Sequence, residues 1–126
     1  PAFNTHRSPF AGRNFEYYSE DPLLGGKIGS AVVSGAATNG CYAMIKHFAL
    51  NDQESYRVQH VMTWATEQAC REIYLRQFEK AIVEGKSNGT MTGFNRLGMM
   101  WTGENEEFLK GFLENELGYM GINLTD

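Results

Sequence analysis

Cysteine is scarce in this chain, with only Cys41 and Cys70 among 126 residues and no CxxC spacing between them. That excludes a disulfide-stapled scaffold and a zinc ribbon. Both thiols are expected to be free and buried, which fits a reducing compartment, so a cytoplasmic location is the expectation. The chain opens at Pro1 rather than Met and has no charged-then-apolar leader at its start, which leaves a leader further upstream open. Histidine is nearly as rare. His6, His47 and His60 show no HxxxH or HExxH spacing, so no metal site is expected. Basic residues are outnumbered 11 to 15, giving a net charge of -4 and no footprint for nucleic acid. No apolar run is long enough to cross a membrane. Tandem repeats, low-complexity tracts and linkers are also missing. What is present is a 42% hydrophobic, 21% charged composition that suits a globular core.

Along the chain, Ala2 to Arg7 reads as the tail of a strand. Ser8 to Asp21 is a loop punctuated by Pro9 and Gly12, and its crowd of aromatics (Phe10, Phe15, Tyr17, Tyr18) predicts that it packs down. Arg13 in its middle suits either stacking on those rings or pairing with Glu16. Asp21 and Pro22 open a helix as N-cap and first residue, with Leu24, Ile28, Ala31, Val32 and Gly35 predicted to face inward and Asn39-Gly40 as the stop. Cys41 to Phe48 reads as a strand whose apolar run, Cys41 to Ile45, is expected to be buried on both faces. A polar loop follows through Ala65. Thr66 caps a second helix with a core stripe of Ala69, Cys70, Ile73, Phe78, Ala81 and Ile82, closed by Gly85. Thr90 to Phe94 is a short strand. A third helix runs from about Glu104 with Phe108, Leu109, Phe112 and Leu113 inward, and Gly121 to Asp126 is a last strand.

Strands alternating with helices mean βαβ units on a parallel sheet, hence an α/β fold. The carboxyl ends of parallel strands share one edge, and that edge is where such folds build their sites. It would gather Arg7 or the loop bearing Arg13, then Lys46 and His47, then Phe94 and Asn95, and last Asp126. Lys46 and His47 follow the apolar run with no turn between, and a cation at the end of a core strand is costly unless a polar group meets it. The bland alternative is a strand that simply emerges into water.

GRNFEYYSEDP, KHFALNDQE, REIYLRQFEKAIVEG, MTGFNRLG and GINLTD together resemble glycoside hydrolase family 3, the β-glucosidase-type enzymes, in the family's order and over the whole chain. The resemblance implies a segment of a TIM-like (β/α)8 barrel, about four strands with three intervening helices, so that 1–126 would be part of a catalytic domain. It implies a retaining exo-acting β-glycosidase acting on a β-glucoside or oligosaccharide, with no metal or cofactor. Asp126 matches the aspartate of the TDW or SDW motif, the nucleophile. Lys46 and His47 match the pair that binds sugar hydroxyls, Arg13 the arginine that reaches the same sugar, and Met91 a segment lining that subsite. Phe94 departs from the tyrosine that many members have at its position, the sequence stops at Asp126 before the place of the family's following Trp, and no acid/base residue is recognisable within it. Glu20, Asp52 and Glu54 are expected to hold loops instead. KHFALNDQE lacks the histidine of the N-acetylglucosaminidase branch, which points to the glucosidase side. A β-xylosidase is the rival within the enzymes, and a non-catalytic scaffold the rival outside them. Part of a barrel would also leave strand edges open, so self-association is expected.

Overall fold

Asp21 starts the first helix through its side chain. Its Oδ1 accepts the N–H groups of Leu23 and Leu24 at 2.7 and 3.2 Å in the computed structural model, which describes all residues 1–126. Helix α1 then runs Pro22–Ala37. Gly40 turns the chain with a φ of +74°, and Cys41 donates its N–H back to Ala36 O at 3.1 Å. Cys41 is thereby committed to the helix end. The strand after it begins only at Met44, and Cys41 and Tyr42 are exposed, contrary to the expected burial of Cys41 to Ile45 on both faces and of the Cys41 thiol.

The remaining elements are strands β1 (Met44–Phe48), β2 (Met62–Thr63), β3 (Gly89–Thr92), β4 (Arg96–Leu97), β5 (Met100–Trp101) and β6 (Ile122–Thr125). Helices α2 (Glu67–Ala69) and α3 (Arg76–Val83) flank a π-helical stretch, Cys70–Tyr74, and a second π-helix spans Glu107–Glu116. No helix is long and apolar enough to cross a membrane.

β1, β3 and β6 form a parallel sheet in that order. Ala2 extends it beyond β1 by a parallel bridge to Lys46. The predicted first strand is reduced to this bridge, with Phe3 N–H donating to Lys46 O at 2.6 Å. The parallel strands therefore lie side by side in chain order with helices between them, as in a segment of a β/α barrel.

Helix α1 turns a different face inward from the one its large apolar residues predict. Gly25, Gly26, Gly29, Ser30 and Val33 are buried, while Leu24, Ile28 and Val32 stay 51%, 41% and 45% exposed. Space decides this. A Cβ at Gly29 would stand 2.2 Å from the Phe3 ring, and one at Gly25 2.2 Å from Gln77 Oε1. Only the small stripe lets the helix approach this closely. In the second helical run the π stretch, with its wider turn, moves the inner face, so Leu75 is buried at 3% and the predicted Ile73 is 37% exposed. Aromatics fill the core between helices and sheet. Phe48 meets Phe78 edge-on with centroids 5.2 Å apart and stacks on Phe112 at 6.3 Å.

The polar loop expected between Ala49 and Ala65 contains β2, which pairs in parallel with β4, itself in a hairpin with β5. Gly98, with a φ of +58°, makes the hairpin turn. This small second sheet lies beyond the carboxyl end of β3.

Candidate functional site

The register of β1 breaks where the chemistry begins. Ile45 faces Thr90, but the next paired residue is Phe48, opposite Thr92, so Lys46 and His47 fall in an irregular step. Steps of this kind re-aim side chains at strand ends. The peptide bonds Lys46–His47 and Phe48–Ala49 are cis. Asn4 clasps the backbone of His47 from both sides, donating from Nδ2 to His47 O at 3.0 Å and accepting His47 N–H on Oδ1 at 2.8 Å. On the far strand Thr92 pairs with Thr125, so Asp126 leaves the same edge. The aromatic loop is pinned over that edge by Tyr17, whose hydroxyl donates to Asn51 O at 3.0 Å, and by Glu54 N–H donating to Ala11 O at 3.1 Å.

Charges at this edge form a row. Lys46 Nζ lies 3.2 Å from Glu16 Oε2, and Glu16 Oε1 accepts Arg13 Nε–H. Arg13 Nη1 is 3.6 Å from Glu54 Oε1, which also holds Arg57 Nε at 2.7 Å. Arg57 Nη1 donates to Asp126 Oδ2 at 3.1 Å, and His47 Nε2 approaches the same oxygen at 3.5 Å. Three cations (Lys46, Arg13, Arg57) are thus separated by two carboxylates, and the row ends on the third. Arg57 also lies 4.7 Å over the Phe94 ring, a cation–π contact that fixes both groups.

Burial, with the nearby Arg13 charge second, pushes the His47 imidazole down to about 4. At neutral pH it is an uncharged ring whose Nε2 faces the Asp126 carboxylate and whose buried Nδ1 has no protein partner. The Nε2–H tautomer suits that geometry. Burial pushes the Glu16 carboxyl up, but its hydrogen bonds to Lys46 and Arg13 outweigh this and hold it below the ordinary carboxylate value. Asp52 is different. It is buried at 6% exposure, and burial raises it to about 6 even though its Oδ1 accepts Thr5 N–H at 2.8 Å.

Of the residues singled out from sequence, Lys46, His47, Arg13 and Asp126 come together at this edge, and Phe94 joins them through Arg57. Met91 does not join the charged row. It sits inside β3 opposite Leu124, half-buried, on the face opposite to the buried Thr90 and Thr92. Of the two roles expected for Arg13 from its loop, the structure shows the pairing with Glu16, and Arg13 also reaches Glu54. Glu54 holds the loop, as expected, and bridges two arginines as well. The omission that matters is Arg57, three residues after Glu54 in a stretch with no periodicity. Its one signal was the E-x-x-R spacing beside a lysine–histidine pair. A larger groove, about 430 Å³, lies between the second helical run and the last helix and includes none of these residues.

The sequence profile described as the Glycosyl hydrolase family 3 N terminal domain matches residues 1–126. β-Glucosidase A of Butyrivibrio fibrisolvens is 44% identical over 126 residues, which are 100% of this chain and 15% of that protein. β-Glucosidase B of Emericella nidulans is 41% identical, again over all of this chain and 15% of its own length. The structure of β-glucosidase 3B from Thermotoga neapolitana in complex with glucose superposes with a TM-score of 0.97 at 46% identity, covering 100% of this chain and 18% of that one. The chain thus spans less than a fifth of these relatives. With the whole of it inside one domain profile and one matching fold, this chain belongs to glycoside hydrolase family 3, within the N-terminal domain.

Proposed function

We propose that this chain is the nucleophile-bearing segment of a retaining, exo-acting β-glucosidase. The observation that carries the reading is the placement of the Asp126 carboxylate, held by Arg57 and faced by neutral His47, beside a converging Lys46 and Arg13. An anchored carboxylate next to hydrogen-bond donors is what a glycosyl transfer step requires. Asp126 attacks the anomeric carbon as the bond to the leaving oxygen breaks, and that oxygen takes its proton from an acid. A glycosyl ester on Asp126 results. Water then attacks the same carbon, gives up a proton to the conjugate base, and frees the sugar with its original configuration. The acid/base residue is expected outside these 126 residues, as a glutamate.

Lys46 offers three N–H donors and spends one on Glu16, which leaves two for sugar hydroxyls. Arg13 is anchored by Glu16 and supplies a further donor edge. His47 donates through Nε2–H without adding charge to the pocket. Phe94 offers ring surface and no hydroxyl, so the bond a tyrosine would make there is absent. The names of the relatives support glucose as the sugar. The test is hydrolysis of aryl β-glucoside and aryl β-xyloside by the protein that carries this chain, with the anomer released first followed by proton NMR. Preference for the glucoside with β-glucose appearing first is the expected result. α-Glucose first would overturn the retaining mechanism, and a preferred xyloside would move the assignment to a β-xylosidase. Turnover of neither would favour the scaffold reading.

A further inference from the structure

Between β3 and β4 the chain bends through Gly93, Phe94 and Asn95, and the backbone of this bend is pinned from two sides. Gly93 N–H donates to Phe48 O at 3.0 Å, while Gly93 O accepts the Trp101 indole N–H at 2.9 Å and the Thr102 hydroxyl at 2.7 Å. Asn95 O accepts Thr102 N–H at 3.2 Å. The bend is a fixed point, and Asn95 within it has no exposed surface. Its side chain has one target. Nδ2 donates to the carbonyls of two consecutive residues, Ala49 at 3.1 Å and Leu50 at 3.2 Å. Oδ1 is buried with no partner, so the amide is placed for its donors alone.

Leu50 needs such a hold. Its φ of +56° lies in the left-handed region, which a leucine adopts at a cost. From Leu50 the loop after β1 runs along the carboxyl edge to Arg57. The Tyr17 hydroxyl on Asn51 O and the Glu54 N–H on Ala11 O restrain its middle. Its far end returns to the same bend, because the Arg57 guanidinium lies 4.7 Å over the ring of Phe94, the residue before Asn95. Two adjacent residues thus grip the loop at both ends. The second grip falls on the guanidinium that donates to Asp126 Oδ2 at 3.1 Å.

We infer that Asn95 is a positioning residue for the glycosyl transfer step, acting through the loop on Arg57 and through Arg57 on Asp126. The inference rests on the β-glucosidase reading, which makes Asp126 the attacking group. Asn95 is fully buried and meets no sugar itself. Its donors fix where the loop starts. A guanidinium displaced by about 1 Å at the loop's end no longer holds the carboxylate in line with the anomeric carbon, and misplacement on that scale costs rate.

The experiment is a double-mutant cycle of Asn95→Ala and Arg57→Ala in the full-length protein carrying this chain. It reads kcat/KM for an aryl β-glucoside, which reports attack by Asp126, beside the inhibition constant of glucose. Asn95→Ala alone is expected to lower kcat/KM about ten- to hundredfold while the glucose constant changes less than about threefold. In the Arg57→Ala background the same substitution should cost less than about twofold, because the group it positions is gone. Asn95→Ser, whose hydroxyl can serve one of the two carbonyls, guards against a folding effect and should keep an intermediate kcat/KM. An equal loss in both backgrounds would overturn the role, as would a lower melting temperature with kcat/KM unchanged. Failure of both Asn95 variants to fold would overturn it too, and leave Asn95 a core hydrogen bond. A wild-type protein inactive on aryl β-glucosides would remove the β-glucosidase reading and the inference with it.

Discussion

Polar side chains under the helices and polar side chains at the carboxyl edge are organised on different plans. Under the helices they meet partners one to one. Gln77 Nε2 donates to Thr5 Oγ1 at 2.9 Å and Ser30 Oγ to Gly26 O at 2.6 Å. Each satisfies a buried group and does little else. At the edge, two carboxylates are each shared by two cations, and donors are left over. The first plan consumes hydrogen-bonding capacity and the second keeps some in reserve, so damage to the first should register as stability and damage to the second as turnover.

The largest expected effect breaks the edge alone. Asp126→Asn keeps the shape but removes the nucleophile, so kcat should fall at least about a thousandfold while stability changes by less than ~1 kcal/mol. Kinetics beside thermal unfolding of the same preparations would check both halves.

A second prediction sets two buried titratable residues, His47 and Asp52, against each other through pH. Neutral His47, at about 4 when folded against an ordinary 6.5, takes up a proton on unfolding between those values. Its contribution to stability is therefore complete above about pH 6.5 and is lost as pH falls through about 4. Asp52 has the opposite sign. Raised to about 6 from 3.8, it is protonated in the folded chain where the unfolded chain has released its proton. Its contribution is complete below pH 3.8 and is lost as pH rises through about 6. The two nearly cancel in wild type, each worth up to about 3 kcal/mol. Removing Asp52 as Asp52→Asn should make stability fall more steeply from pH 6 to 4, whereas His47→Gln should make it rise. Denaturant unfolding at a series of pH values reads both slopes.

Breaking the helix side should do the reverse of Asp126→Asn. Gly29→Ala drives a Cβ to 2.2 Å from the Phe3 ring and should cost about 1–3 kcal/mol with kcat unchanged at low temperature. Gly35→Ala, on the same helix with nothing within 4 Å, should be neutral or stabilising by up to about 1 kcal/mol. Equal losses in the two would contradict the close approach of α1. At the edge a milder effect is expected from Glu16→Gln, which uncouples Lys46 from Arg13 and should lower kcat/KM about five- to tenfold, mainly through KM. A loss confined to unfolding temperature would place Glu16 with the structural pairs.

Much of the edge was legible because its residues sit at the ends of readable elements: Lys46 and His47 closing an apolar strand, and Asp126 closing the last one. Capping at Asp21 and Thr66 was legible for the same local reason. What escaped depends on approach in three dimensions. The inner face of α1 follows the space left by Phe3 and Gln77, not hydrophobicity, so Leu24 and Ile28 misled. The π stretch that exchanges Ile73 for Leu75 leaves no mark on helical periodicity. Cys41 reads as strand until its N–H is seen to be spent on the helix end. Arg57 belongs to a loop whose course is set by Glu54 and Asp126, neither of which predicts it.

The nucleophile itself can be caught. Incubation of the full-length protein with an activated 2-deoxy-2-fluoro-β-glucoside, which forms the glycosyl ester quickly and hydrolyses it slowly, should leave one sugar per active site, and peptide mass spectrometry should place it on Asp126. Attachment to Glu16, Asp52 or Glu54, or turnover of aryl glucosides with no trapped adduct, would contradict the assignment.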